Sequence, residues 1–322
     1  MKIIATGRYL PEKILSNADL EKMVDTTDEW IFSRTGIRER RIASEQETSS
    51  YMGARAAQHA LSKTDLTPND IDLIIVATVT PDATFPSTAC YIQNHIGATR
   101  AAAFDLQAAC SGFLYNLVVA DQFLRSGMYK TILVIGSEKL SSIIDWTDRS
   151  TCVLFGDGAG AAIVQSTGGK SQLLSCDLGS NGNLHEILYL LNTNTAKANG
   201  KILGPNGACM VMAGQEVFKQ AVTEMAKSAR KSMNAAGITI DDLRCVITHQ
   251  ANIRIIDALA DRLKIPKEKT FVNVQRYGNI SAACIPVAMS EAEEEFKFQP
   301  GDKILLVAFG GGLTWASAVI EW

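Results

Sequence analysis

Residues 72–80 read DLIIVATVT, and residues 243–248 read LRCVIT. Each is a short, nearly continuous apolar run, the pattern of a strand in a sheet covered on both faces. Around them, further runs follow in the same order. In the first half these are Ala101–Leu106 (AAAFDL), a helical stretch over Ser111–Ser126 stopped by Gly127, Thr131–Gly136 (TILVIG) and Gly160–Gln165 (GAAIVQ). In the second half they are Thr270–Val274 (TFVNV), Ser281–Phe296, Ile304–Ala308 (ILLVA) and Trp315–Ile320. Ile132 and Ile304 lie 172 residues apart, and Asp72 and Leu243 lie 171 apart. A spacing this long and this constant predicts a duplicated domain, not a solenoid. Alternating strands and helices predict an α/β fold with mostly parallel sheets, stacked as layers. The expected halves are residues 1–168 and 169–322, with Ser166–Gly169 (STGG) as linker and 192–206 (NTNTAKANGKILGPN) as a polar loop.

Composition narrows the function. The chain has 322 residues, enough for about two domains. A net charge of −3 and a pI near 5.9 leave no electrostatic footprint for nucleic acid. No apolar run approaches the ~18 residues of a membrane span, and MKIIATGRYLP has no signal-peptide core. The seven cysteines are scattered and never in C-x-x-C spacing, which argues against a disulfide framework or a zinc site. A reduced, cytoplasmic protein is expected.

Three residues stand out by context. Cys110 lies in AFDLQAACSGF, between a strand and a helix. A helix N-terminus favours thiolate over thiol, so the position suits a nucleophile. A buried cysteine in a small-residue packing turn fits equally well. His249 follows the 243–248 strand, at the strand end where open α/β sheets place ligands. Asn279, in RYGNISAA, lies in the second half nearly where Cys110 lies in the first. A structural histidine and a helix N-cap are the ordinary readings of these two. Together, with the repeat superposing the turns, they suggest a thiol and two polar partners converging between the halves, which suits acyl chemistry. FGDGAG (155–160) lacks G-x-G-x-x-G spacing and precedes a strand, so a dinucleotide loop is rejected. FGGG (309–312) reads as a tight turn or as an approach that offers backbone N–H groups to a reacting carbonyl.

The chain resembles the β-ketoacyl-acyl-carrier-protein synthase III family along its whole length. The resemblance is carried by DTTDEWIFSRTGIRERRIA (25–43), FPSTACYIQ (85–93), AACSGF (108–113), FGDGAGA (155–161), HQANIRI (249–255), GNISAA (278–283) and AFGGGLTWASA (308–318). It implies the thiolase fold, two halves in a five-layer αβαβα stack, and a homodimer. It implies a decarboxylative condensation of an acyl-CoA primer with malonyl-acyl-carrier protein to give a 3-oxoacyl-carrier protein, initiating fatty-acid synthesis without a cofactor or metal. Cys110 would carry the acyl group, and His249 and Asn279 would hold the malonyl thioester oxygen. The backbone N–H groups of Cys110 and Gly311 would form the oxyanion hole. By the same resemblance, Thr26, Trp30, Arg34, Arg149 and Asn252 contact CoA. Phe85 reaches across the dimer to limit the acyl pocket. Arg254 meets the acidic carrier protein, with Lys219 and Arg262 as weaker contacts. Asp261 departs from the basic pattern there, and Gln107, Ser111, Cys284 and the length of 192–209 depart near the acyl site.

A starter enzyme of polyketide or quinolone synthesis, or a simple acyltransferase, would keep Cys110 and His249 and change the second substrate. The retained Asn279 favours decarboxylation. A Cys-His-Asn hydrolase leaves the duplication and the 25–43 and FGGGLTW motifs without a role. A degradative thiolase lacks its second cysteine in the final glycine-rich motif. A non-catalytic scaffold would not need a reactive thiol at Cys110.

Overall fold

The computed structural model describes residues 1–169, 171–191 and 209–322. The polar loop read over 192–206 lies outside the described residues, as does most of the 192–209 departure. The first half forms β1 (Lys2–Tyr9), α1 (Asp28–Thr35), α2 (Ser49–Leu61), β2 (Leu73–Ala77), α3 (Thr88–Ile96), β3 (Ala102–Leu106), α4 (Gly112–Arg125), β4 (Thr131–Lys139) and β5 (Asp157–Gln165). The second half forms β6 (Leu173–Ser180), α5 (Gly214–Ala236), β7 (Leu243–Thr248), α6 (Ile253–Leu263), β8 (Thr270–Phe271), α7 (Cys284–Phe296), β9 (Lys303–Gly310) and β10 (Thr314–Glu321).

The strand order is β1-β5-β4-β2-β3 in one sheet and β6-β10-β9-β7-β8 in the other, the same permutation twice. The register repeats as well. Val76 pairs with Ile135 and Thr248 with Val307, so an offset of 172 residues links both partners. The sheets are mixed, not mostly parallel. In each, two neighbouring pairs are parallel and two are antiparallel. In the second sheet one reason is local: β9 turns directly into β10 through Gly311–Leu313, which forces an antiparallel neighbour, and no crossover helix intervenes.

Side chains alternate across each strand, and both faces are buried. Leu73, Ile75, Ile132 and Val134 point to the centre, where they meet α4, α7 and the inner face of the second sheet. Ile74, Val76, Leu133 and Ile135 point outward onto the alanine face of α2 and onto α3. Leu305, Val307 and Val319 do the same against α5 and α6. The result is five layers, α2/α3, sheet, α4/α7, sheet, α5/α6.

Two glycines set how closely the halves approach. A Cβ on Gly136 would lie 2.3 Å from Ala282 O, and one on Gly310 would lie 2.6 Å from Cys110 N. Each central strand thus runs against the turn that precedes the other half's buried helix, with no room for a side chain.

Candidate active site

The turn before α4 is a short 3-10 segment, Ala109–Ser111, entered through Ala109 at φ 46°. A non-glycine residue in this region costs about 1–2 kcal/mol, and the packing against Gly310 holds it there. Ser111 is fully buried and donates to Thr314 O at 3.2 Å, which fixes the turn to the second half. The matching turn before α7, Ser281–Ala283, is entered through Ser281 at φ 49°. Helices α4 and α7 begin 172 residues apart, so the mate of Cys110 is Ala282. Asn279 is the mate of Gln107. Spacing in the sequence alone superposes Asn279 nearly on Cys110; the register sets it three residues earlier.

His249 continues β7, its N–H donating to Val307 O at 2.7 Å. It is buried, and its Nδ1 has no partner among the described residues. Burial lowers its pKa to about 4, so the ring is a neutral imidazole across the physiological range. Asn279 is anchored by its backbone. Its N–H donates to Leu154 O at 2.8 Å, and its carbonyl accepts from Gly156 N–H at 3.0 Å. Its Oδ1 accepts from Ser281 N–H at 2.9 Å, with the Cys284 thiol 3.8 Å away. With the oxygen so occupied, the carboxamide N–H groups are left to face the cavity.

Cys110, His249 and Asn279 line one cavity of about 700 Å³. Its walls are largely apolar, including Leu140, Phe155, Leu188, Met212, Phe218 and Met225. Trp30, Arg34, Asn252, Arg254 and Gly311 also line it, so most of the residues singled out in the sequence come together. Two guanidinium groups lie against the Trp30 ring, Arg34 at 4.7 Å and Arg149 at 4.6 Å from its centre. Arg149 is held there by a 2.6 Å hydrogen bond to Asp25 O. Asn252 caps α6, its Oδ1 accepting from Arg254 N–H at 2.8 Å. Thr26, Arg149, Lys219, Arg262 and Phe85 do not line the cavity. Thr26 Oγ1 has no partner among the described residues. Phe85 is 84% exposed. Lys219 and Arg262 are exposed on α5 and α6 beside Arg254, whose guanidinium lies over Phe218.

The thiol itself departs from expectation. The helix terminus predicts a lowered pKa, yet the Cys110 thiol is pushed up to about 12. Desolvation at the cavity floor is the main cause, and the Glu138 carboxylate adds to it. Hydrogen bonding from Ser281 opposes the rise without cancelling it. Ser281 and Glu138 are site residues that the sequence reading did not single out. The signal for Glu138 was a lone acid closing the apolar run TILVIGSEK.

The description "3-Oxoacyl-[acyl-carrier-protein (ACP)] synthase III" fits residues 104–182, and that of its C-terminal part fits residues 233–322. A β-ketoacyl-[acyl-carrier-protein] synthase III from Natranaerobius thermophilus is 52% identical over 325 residues, covering 100% of this chain and 99% of its own. The chain belongs to the β-ketoacyl-acyl-carrier-protein synthase III family. It is therefore a condensing acyltransferase of fatty-acid synthesis with the thiolase fold. The crystal structure of the Aquifex aeolicus synthase III superposes with a TM-score of 0.92 at 51% identity, covering 100% and 99% of the two chains. That from Thermus thermophilus gives 0.93 at 43% identity, again covering 100% and 99%. Among the described residues no helix is long and apolar enough to cross a membrane, and no group of His, Cys, Asp and Glu is arranged to hold a metal ion.

Proposed function

We propose that the chain initiates fatty-acid synthesis by condensing a short acyl-CoA, acetyl-CoA included, with malonyl-acyl-carrier protein through an acyl group on Cys110. The observation that carries this reading is the convergence of Cys110 from one half with His249 and Asn279 from the other on a single, mostly apolar cavity. The Cys110 sulfur attacks the acyl thioester and CoA leaves. The developing oxyanion would sit against the backbone N–H groups of Cys110 and Gly311; the close approach of Gly310, the residue before Gly311, to Cys110 N supports this. Malonyl thioester then enters, and loss of CO₂ builds charge on its carbonyl oxygen. A neutral imidazole and a carboxamide are suitable donors to that oxygen. Neither must give up a proton outright. The resulting carbanion attacks the acyl-Cys110 carbonyl and expels the Cys110 thiolate, which takes a proton from solvent to regenerate the thiol.

The adenine end of CoA would stack on Trp30, with the Arg149 guanidinium moving off the ring to make room, and with Arg34, Thr26 and Asn252 around it. A flat ring between an indole and a guanidinium gains from both stacking and charge. The exposed Phe85 fits a contact with a second copy across a homodimer, where it would bound the acyl pocket. Arg254, with Lys219 and Arg262, offers cationic charge to an acidic carrier protein at the cavity mouth. Cys90, Cys110, Cys152, Cys176, Cys245 and Cys284 are free thiols, which suits the reducing cytoplasm.

Incubation with acetyl-CoA is expected to add one acetyl group to the Cys110 peptide. Subsequent addition of malonyl-carrier protein is expected to give a 3-oxoacyl-carrier protein by mass. Unmodified Cys110, or release of free acid with no new carbon–carbon bond, would refute the reading. A panel of acyl-CoA primers in the same assay fixes the primer class.

A further inference from the structure

Glu291 is a buried acid on α7 that does not line the cavity. Its carboxylate gathers three donors. Oε1 accepts from the Tyr277 hydroxyl at 2.6 Å, and Oε2 accepts from Asn273 Nδ2 at 2.9 Å and from an Arg276 guanidinium N–H at 2.7 Å. Arg276 also supplies the opposite charge that a buried acid needs, and Arg8 Nε lies 3.7 Å from Oε1. Two of these donors lead toward the site. Asn273 N–H donates to Gln250 Oε1 at 3.0 Å, and Gln250 Nε2 donates to Thr248 O at 2.9 Å and to Phe271 O at 3.2 Å. One buried carboxamide thus fixes the chain immediately before and after His249. Tyr277 stands two residues ahead of Asn279, with Gly278 at φ 64° making the turn between them. A Cβ on Gly156 would lie 2.5 Å from Tyr277 O, so that segment is pinned at its backbone as well as at its hydroxyl. Cys284, about two turns before Glu291 on the same face of α7, meets both arms again. Its Sγ lies 3.8 Å from Gln250 O and 3.8 Å from Asn279 Oδ1.

We infer that Glu291 is a positioning residue that sets the spacing of His249 and Asn279, by tying the two segments that carry them to one helix. This rests on the reading of those side chains as joint donors to the malonyl thioester oxygen. Among the described residues no hydrogen bond joins the two side chains, so their separation is set by the segments behind them. Both must reach one oxygen as charge builds on it, and donors serve there only if they are already in place.

The nucleophile is held by different means. Thr314 Oγ1 donates to Ala108 O at 2.9 Å, and Thr314 O accepts from Ser111 Oγ, so the Cys110 turn hangs on β10 and not on Glu291. Losing Glu291 should therefore divide the two half-reactions: decarboxylation suffers and acyl transfer to Cys110 does not. A glutamine at 291 can keep the ties. Its oxygen serves Asn273 and Arg276, and its N–H groups serve Tyr277, whose hydroxyl can turn to accept. Alanine keeps none of them.

The test measures malonyl-carrier protein decarboxylation and single-turnover acetyl transfer to Cys110 on the same preparations, with hydrogen exchange by mass. Glu291→Ala is expected to lower kcat for decarboxylation by about tenfold to a hundredfold, the cost of a small misplacement, and to leave KM and acetyl transfer within about twofold. Glu291→Gln is expected to restore decarboxylation to within about threefold of the native rate. Tyr277→Phe removes one oxygen and cuts one tie, and should cost about threefold to tenfold in the same step. It carries the test if Glu291→Ala does not fold. Exchange should quicken in Glu291→Ala over 248–252 and 277–280 and stay unchanged over 108–113. Equal losses in both half-reactions, or a native decarboxylation rate in Glu291→Ala, would overturn the inference. Should the native protein decarboxylate no malonyl thioester, the proposed function fails, while exchange still decides whether Glu291 ties the two arms: unchanged protection at either arm sinks it.

Discussion

The turn that carries Cys110 and the turn that carries Ala282 are built on one backbone plan, and they have been filled in opposite ways. Beneath Cys110 N lies Gly310, which has no side chain; at the equivalent place in the other half, beneath Ala282 N, lies the carboxylate of Glu138. At the end of β7 stands His249; its mate at the end of β2 is Ala77. Three residues ahead of Ala282 stands Asn279; three ahead of Cys110 stands the exposed Gln107. The first half keeps the sulfur and an empty floor, while the second keeps the polar donors and receives an acid below. Duplication thus supplied two equivalent turns, and chemistry required that they differ, since a nucleophile and the donors that steady its partner's charge must face one another across the same space.

Breaking the asymmetry at the sulfur has the largest expected effect. Cys110→Ala should abolish acyl-enzyme formation and lower condensation by about a thousandfold or more, read by intact mass and by product formation. Placing a thiol in the mate position, Ala282→Cys on that background, should restore nothing, because Glu138 occupies the floor there. Next come the donors. His249→Ala or Asn279→Ala should each slow decarboxylation of a malonyl thioester by roughly a hundredfold while Cys110 still takes an acetyl group. Because His249 is neutral down to about pH 4, decarboxylation should show no histidine inflection between pH 6 and 7. An inflection there would mean that the ring is charged in the working site.

Smaller effects sharpen the comparison. Gly310→Ala puts a carbon 2.6 Å from Cys110 N, so it should cost about 1–3 kcal/mol in urea unfolding and slow acylation as the turn is displaced. Gly182→Ala meets nothing within 4 Å and should leave both unchanged. Smallest is the rim. Arg254→Glu should raise KM for malonyl-carrier protein by about tenfold, in line with a lost surface charge contact reversed in sign, and leave KM for malonyl-CoA alone. Equal effects on both donors would remove Arg254 from carrier docking.

Much of this is legible in the sequence alone. The buried strands, the helices after Cys110 and Asn279, and the spacing between halves all follow from apolar periodicity, because strands covered on both faces must be apolar throughout. Sheet polarity was not legible in the same way. Alternation of strand and helix suggests parallel neighbours, and only the three-residue connection Gly311–Leu313 betrays the hairpin that reverses β10. The three catalytic candidates were singled out by their places at strand ends. Glu138 escaped because an acid at the end of an apolar run reads as a strand reaching solvent, and the layer that buries it comes from 144 residues away. The lowered thiol pKa expected at a helix start failed for the same reason: a sequence shows the dipole and not the surroundings that desolvate it.

Helices α4 and α7 lie between the two sheets and present apolar surface to both. Neither half could be released from the other without wetting an entire sheet face and both sides of its own central helix. The molecule should accordingly melt as one thermodynamic unit, with a single calorimetric transition, and a chain cut between β5 and β6 should yield fragments that associate or precipitate but do not persist as folded monomers.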